Sequence, residues 1–167
     1  MDNFLTGTLI PALAKQGIGP TNFPLFLLYN VVMFDSEGCC ILGYHGATGS
    51  PLQTYSPTDF DSTGFFNGVA DTSVFAHEIS EWINDPTGDN PTPAWGHTGQ
   101  VSGCQDNLEV GDPLSGTEFP PVVRGGFTYH LQELGFFSWF YGGPSIGAGS
   151  LFSNNGTFSS DAGAPCT

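Results

Sequence analysis

A chain of 167 residues with 39% hydrophobic and 14% aromatic side chains has the size of one domain and enough apolar material for one core. Only Lys15 and Arg124 stand against sixteen carboxylates, a formal net charge of −14; with nothing to neutralise phosphates, nucleic acid and anionic membrane surfaces are excluded as partners. Few lysines and abundant Gly, Ser, Thr, Asn and Pro are an extracellular kind of composition, and metal cations suit such a surface best.

Leu5, Leu9, Ala12 and Leu13 recur at helical spacing between Asp2 and Lys15, with Gly17 as a stop, which predicts an amphipathic N-terminal helix kinked or shortened at Pro11. The same stretch lacks a basic start and is too short to span a bilayer, so neither a membrane span nor an export signal is expected in it. Phe23 to Phe34 is almost continuously apolar and reads as a buried central strand. A short strand from Cys40 to His45 follows the turn residues 35–38 and is expected to pair with it. Residues 46–72 read as a long loop with room for one strand. Phe75, Ile79, Trp82 and Ile83 then fall on one helical stripe, Asp71, Thr72 and Ser73 offer N-caps, and Asp85-Pro86 stops the helix, predicting a helix within residues 73–86. Residues 87–126 read as a Gly/Pro-rich loop, and Phe127 to Tyr141 as either a strand or a helix. The expected organisation is a metal-binding domain over 1–141, with 142–167 a low-complexity tail lying over the surface of the same domain.

Four cysteines, Cys39, Cys40, Cys104 and Cys166, allow three pairings in an oxidising compartment. Neighbouring Cα atoms lie closer than disulfide geometry prefers, so Cys39 and Cys40 are each expected to pair with Cys104 or Cys166. Four buried free thiols are the alternative.

The chemistry concentrates at Ala76-His77-Glu78-Ile79-Ser80-Glu81. His77 and Glu81 are four apart and share a helix face, where both can bind one ion, and Glu78 projects beside them. This is the H-E-x-x-H metallopeptidase arrangement, in which the outer residues hold zinc and the Glu is a general base, with Glu in place of the last His. A carboxylate is a legitimate zinc ligand, but it leaves a bound water less acidic than three histidines would. The plainer alternative is the solvated face of an amphipathic helix. Glu109 and Asp112, separated by Gly111, can turn inward from a loop to supply a distant third ligand, or be ordinary loop acids. His45 can orient the reacting water or stabilise an oxyanion, or be a structural histidine; His97 and His130 have no motif around them. A calcium reading rests on Asp85, Asp89, Asn90, Asp106, Asn107, Glu109 and Asp112 as hard oxygen donors, and the nitrogen ligand His77 separates the two.

Three blocks, Gly43-Tyr44-His45-Gly46, Ala76 to Glu81 with Asp85-Pro86, and Leu108-Glu109-Val110-Gly111-Asp112, run in order over most of residues 25–115. On these the chain resembles the secreted EXORDIUM or phosphate-induced proteins, and their bacterial relatives in particular, which have a zincin-like appearance. The resemblance implies His77, Glu81 and Glu109 or Asp112 as metal ligands, Glu78 beside the open position and His45 across the cleft. The chain departs from the family pattern at Pro113, where Leu-Cys commonly follows, and carries Cys104 ahead of the block instead.

Together these readings predict an α+β (mixed α/β), zincin-like fold, with a small mixed sheet packed on the active-site helix and the N-terminal helix. The expected function is that of a secreted zinc metallopeptidase-like hydrolase with Glu78 as general base, acting on a peptide or cell-wall substrate, with Zn2+, or else Ca2+ or another divalent metal, as cofactor. The alternative is a non-catalytic extracellular cell-wall or surface-assembly protein whose metal and disulfides are structural and whose aromatic-rich C-terminal part supports self-association.

Overall fold

The computed structural model describes residues 1–36 and 38–166, which form an α+β arrangement of small sheets and few helices. Residues 2–14 are helical throughout: α-helix at Asp2–Phe4 and Ile10–Ala14, with a π-helical turn at Leu5–Leu9 between them. The interruption expected at Pro11 thus takes the form of a π turn, after which Pro11 stands at the start of a new α segment, where its missing N–H is tolerated. Leu5 and Ile10 bury against Tyr55, and the Tyr44 and Tyr55 hydroxyls both donate to Asp2 Oδ1, at 3.0 and 2.5 Å.

Five strands follow, β1 (Leu25–Tyr29), β2 (Met33–Phe34), β3 (Cys39–Ile41), β4 (Gly46–Thr48) and β5 (Gln53–Phe60). They make a mixed sheet in the order β1-β5-β4, with β1 parallel and β4 antiparallel to β5, and a separate β2-β3 pair. The apolar run from Phe23 to Phe34 is therefore two strands, broken around Asn30, which takes a φ of 55°. Nor is it central: β1 is an edge, with Leu27 58% and Tyr29 69% exposed.

The central strand is β5, in the segment expected to be mostly loop. Ser56, Thr58 and Asp59 are buried in it, and local partners serve two of them: Ser56 Oγ donates to the Tyr44 carbonyl at 2.8 Å, and Asp59 Oδ1 accepts the Val31 N–H at 2.9 Å. A polar interior and Pro57 remove the apolar alternation by which such a strand is read, since proline ordinarily marks an edge.

The site helix, Ser73–Asn84, packs on β5. Its buried residues are Ser73, Val74, His77, Glu78 and Glu81, whereas Ile83, on the predicted apolar stripe, is 65% exposed and Trp82 stacks on Phe23 at a ring separation of 3.9 Å. Turning the ionisable face of a helix inward is costly unless those groups are paired or bind an ion.

Two hairpins replace the loop expected over 87–126. β6 (Pro91–Thr98) pairs with β7 (Val101–Asn107), and β8 (Val122–Arg124) with β9 (Phe127–Tyr129). The second turns on Gly125-Gly126, both at positive φ, as a two-residue hairpin turn requires. The aromatic segment 127–141 contains both a strand, β9, and a short helix, Phe137–Phe140, whose Phe140 packs with Trp95, Leu108 and Val110. Phe152 and Phe158 of the tail are buried against Leu114, so that segment supplies core as well as surface.

The disulfides are Cys39–Cys40 and Cys104–Cys166, which corrects the expectation that neighbouring cysteines would not bridge. The fold brings the Cα atoms of Cys104 and Cys166 to 5.7 Å, within the usual disulfide span, so neither is left for Cys39 or Cys40, which pair with each other. Among the described residues no helix is long and apolar enough to cross a membrane.

The chain enters the site helix through Asp71. Its carboxylate accepts from the Thr72 amide, from the His130 ring at 2.6 Å and from the His130 amide at 3.2 Å. Partial burial opposes ionisation here, but the Thr72 amide and the His130 ring outweigh it and hold the Asp71 carboxyl below the usual range. A depressed folded-state pKa contributes stability that is present above the unfolded value, near 4, and is lost as pH falls through the folded value. The difference in melting temperature between the native chain and Asp71→Asn should therefore shrink as pH drops below about 4; a difference that stays constant down to pH 2 would refute this role for the charge.

Candidate metal centre

The three sequence blocks meet at one cavity of about 210 Å3, lined by all six residues singled out from the sequence, His45, His77, Glu78, Glu81, Glu109 and Asp112. The site helix brings His77, Glu78 and Glu81, the segment after β7 brings Glu109 and Asp112, and the bend between β3 and β4 brings His45. Four carboxyl groups thus face two imidazoles; burial and the Glu81 charge carry Glu109 up to about 8 and burial pushes Glu78 up, and a dication is what lets such carboxyls give up their protons.

Two overlapping groups of donor atoms can hold a metal ion, His77–Glu81–Asp112 and His45–Glu78–Glu81, each with its atoms within 4.8 Å of one another. The first has all three residues buried. From His77 Nε2 it is 3.0 Å to Glu81 Oε2 and 3.4 Å to Asp112 Oδ1, close to the separation of about 3.3 Å between tetrahedral ligands with bonds of 2.0–2.1 Å. Glu109 stands apart, with Oε2 4.0 Å from His45 Nε2 and Oε1 accepting from Asn107 at 2.8 Å. A third group, His97 with Cys104 and Cys166, has both sulfurs committed to a disulfide.

The surrounding bonds aim the first group. Gln132 Nε2 donates to the Gly111 carbonyl at 2.7 Å, which orients the amide so that its Oε1 lies 3.0 Å from His77 Nδ1. An amide oxygen only accepts, so Nδ1 carries a hydrogen and Nε2 is the nitrogen that an ion would take in exchange for a proton. The N–H groups of Gly111 and Asp112 donate to Glu81 Oε1 at 3.0 and 3.2 Å, leaving Oε2 turned to His77. Gln100 and Gln105 donate to the two Asp112 oxygens at 2.5 and 3.2 Å. Gly111 is obligatory in this arrangement, since a Cβ there would lie 2.6 Å from His77 Nδ1.

Burial disfavours a charged His77, but the charge of Glu81 and the contact with Asp112 prevail and raise its pKa well above the usual value; positive charge is wanted at this point. Burial also pushes the Glu78 carboxyl up, against the pull of His45. His45 Nε2 lies 2.8 Å from the Asp85 carbonyl, so its Nδ1 faces Glu78 at 3.5 Å. Burial lowers the pKa of His45, but Glu78 and Glu109 override it and carry it up to about 9.

No family model, no curated protein and no solved structure matches this chain. What can be said of the site therefore rests on its own donor chemistry, which fits a divalent metal ion at His77, Glu81 and Asp112.

The broader oxygen-donor set read for calcium does not assemble into a cage. Asp85 is fully buried and spends its two oxygens on the Asp89 and Asn90 amides, at 3.1 and 2.8 Å, closing the turn after the helix, while Asp89 and Asp106 are exposed. Gln100, Gln105 and Gln132 were not singled out from the sequence. A lone glutamine carries no spacing signal, and each reaches the site only through the fold.

Proposed function

We propose that this chain is a secreted, metal-dependent hydrolase of zincin-like type, peptidase-like in its chemistry, with zinc held by His77, Glu81 and Asp112 and with Glu78 as general base. The EXORDIUM-like resemblance of the three blocks belongs to the same proposal. The observation that carries it is the buried convergence of one imidazole nitrogen and two carboxylate oxygens; the bonds to His77 Nδ1 and Glu81 Oε1 leave Nε2 and Oε2 free, while Asp112 Oδ1 is oriented by the Gln100 amide that donates to it.

A zinc ion so placed would supply Lewis acidity toward a substrate carbonyl and the attacking water. Glu78 is the group left over for proton transfer: it lines the same cavity, sits outside the His77–Glu81–Asp112 group, and is held by burial toward its proton-bound form, which brings a carboxylate nearer the range of an effective base. It takes the proton of the attacking water and passes it to the departing amine. His45, 3.5 Å away, holds Glu78 in place and offers positive charge to the oxygen on which negative charge develops.

The test is cleavage of a mixed peptide library, followed by mass spectrometry, by native, chelator-stripped and zinc-restored protein. Cleavage that disappears on stripping and returns with about one equivalent of zinc is the expected result. Stoichiometric zinc without any cleavage would overturn the catalytic reading and leave a structural metal.

A further inference from the structure

A second set of donor atoms lies on the β6–β7 hairpin, outside the His77 centre. His97, Cys104 and Cys166 bring their ligand atoms within 4.8 Å of one another, and the two cysteines are joined as a disulfide. Regular pairing would not place His97 there. Gly96 stands opposite Cys104, so in an even ladder His97, one residue further on, would face the other side of the hairpin from Cys104. The register slips between Gly96 and Thr98, and His97 takes a φ of 53°, which residues other than glycine rarely adopt. Irregularities of this kind re-aim a side chain, and here they bring the imidazole Nε2 to 3.4 Å from Cys104 Sγ.

His97 and Cys104 are exposed and Cys166 is half-buried. Exposed disulfides are the ones that exchange with outside thiols, and a histidine beside the departing sulfur favours its thiolate. Opening the bond does not release Cys166 from the hairpin. A Cβ on Gly163 would lie 2.3 Å from the Gly96 carbonyl oxygen, so the tail backbone seats directly on β6. Further back, Phe158 is buried against Leu114 and packs on Trp139 at a ring separation of 4.7 Å. These contacts keep the end of the tail beside His97 and Cys104 without any help from the disulfide.

We propose that two-electron reduction converts this disulfide, with His97, into a second metal site for zinc or another thiolate-binding dication. A dithiol is the reductant: one of its sulfurs attacks the bond, the other resolves the mixed disulfide, and it departs as a cyclic disulfide, leaving Cys104 and Cys166 as thiols. Metal binding then expels the two thiol protons. Two thiolates and an imidazole are a soft donor set, unlike the carboxylate-rich His77 centre. Tetrahedral bonds of 2.3 Å to sulfur set the two sulfurs about 3.8 Å apart. The tail is thus stapled to β7 in either redox state, by sulfur alone or through a metal.

The experiment is titration of the full chain with Co2+, oxidised and after reduction by a water-soluble phosphine, which opens disulfides without itself offering a thiolate. The readout is thiolate-to-cobalt charge-transfer absorption, which the nitrogen and oxygen donors of the His77 centre do not give. The oxidised chain should show no such band, and the reduced chain should develop it with about one equivalent of ion and lose it on adding zinc. Cys104→Ser should abolish the band, and His97→Ala should weaken cobalt binding at least about tenfold. Should Cys104→Ser fold poorly, the double variant Cys39→Ser/Cys40→Ser gives the second reading, since it must keep the band. No band in the reduced native chain, a band that survives Cys104→Ser or disappears with Cys39 and Cys40, or an affinity unchanged in His97→Ala would each overturn the proposal.

Discussion

Glu78→Gln is expected to slow peptide hydrolysis by about 10²- to 10⁴-fold, the usual worth of a positioned general base, while zinc content and melting temperature stay near those of the native chain. The amide is nearly isosteric with the carboxylate and cannot take a proton from water. The ligand atoms His77 Nε2, Glu81 Oε2 and Asp112 Oδ1 converge without Glu78, so occupancy should survive. Stability should survive as well, because burial already disfavours charge on this carboxyl and a neutral side chain incurs no such cost. Turnover is read against elemental analysis of the same sample. Undiminished turnover would remove Glu78 from the reaction, whereas a loss of zinc would move the metal to the overlapping group, His45–Glu78–Glu81.

His77→Ala is expected to abolish stoichiometric zinc binding and all hydrolysis with it. Loss of an outer-shell partner alone costs about 10- to 100-fold in metal affinity, so loss of the imidazole itself should cost more. The variant should also be less stable with no metal present. His77 is then the counter-charge of Glu81, at 3.0 Å, and of Asp112, at 3.4 Å; removing one member of a buried ionic cluster costs about 3–5 kcal/mol. For a chain of this length that corresponds to a fall in melting temperature of roughly 6–20 °C. Elemental analysis and thermal melts after chelation check the two effects separately. Zinc retained at native stoichiometry would sink this ligand assignment.

The site was readable in the sequence to the extent that its signals are local. His77, Glu78 and Glu81 lie within five residues of a well-delimited helix, and Glu109 and Asp112 within four of a turn. Which of the last two joins the helix depends on the path of the chain through Gly111, and spacing alone does not reveal that path. The same limit explains the strands. The apolar run from Phe23 to Phe34 suggests a core strand, yet Leu27 and Tyr29 on its outer face stay largely exposed. The strand buried most deeply, β5, carries Ser56, Pro57, Thr58 and Asp59 inside, and the partners that receive Ser56 and Asp59, the Tyr44 carbonyl and the Val31 amide, are brought to them only by the fold. The β8–β9 hairpin turns on Gly125-Gly126, but the surrounding prolines and glycines hide a two-residue turn in what reads as a longer loop.

Gly111 serves both sides of the metal centre from its main chain: its N–H holds Glu81, and its carbonyl holds the Gln132 that holds His77. The nitrogen donor and an oxygen donor are thus indexed to a single peptide backbone, with Asp112 the next residue along. A shift of that backbone by one position would misalign His77, Glu81 and Asp112 together, so the three candidate ligands keep their mutual geometry through one peptide unit.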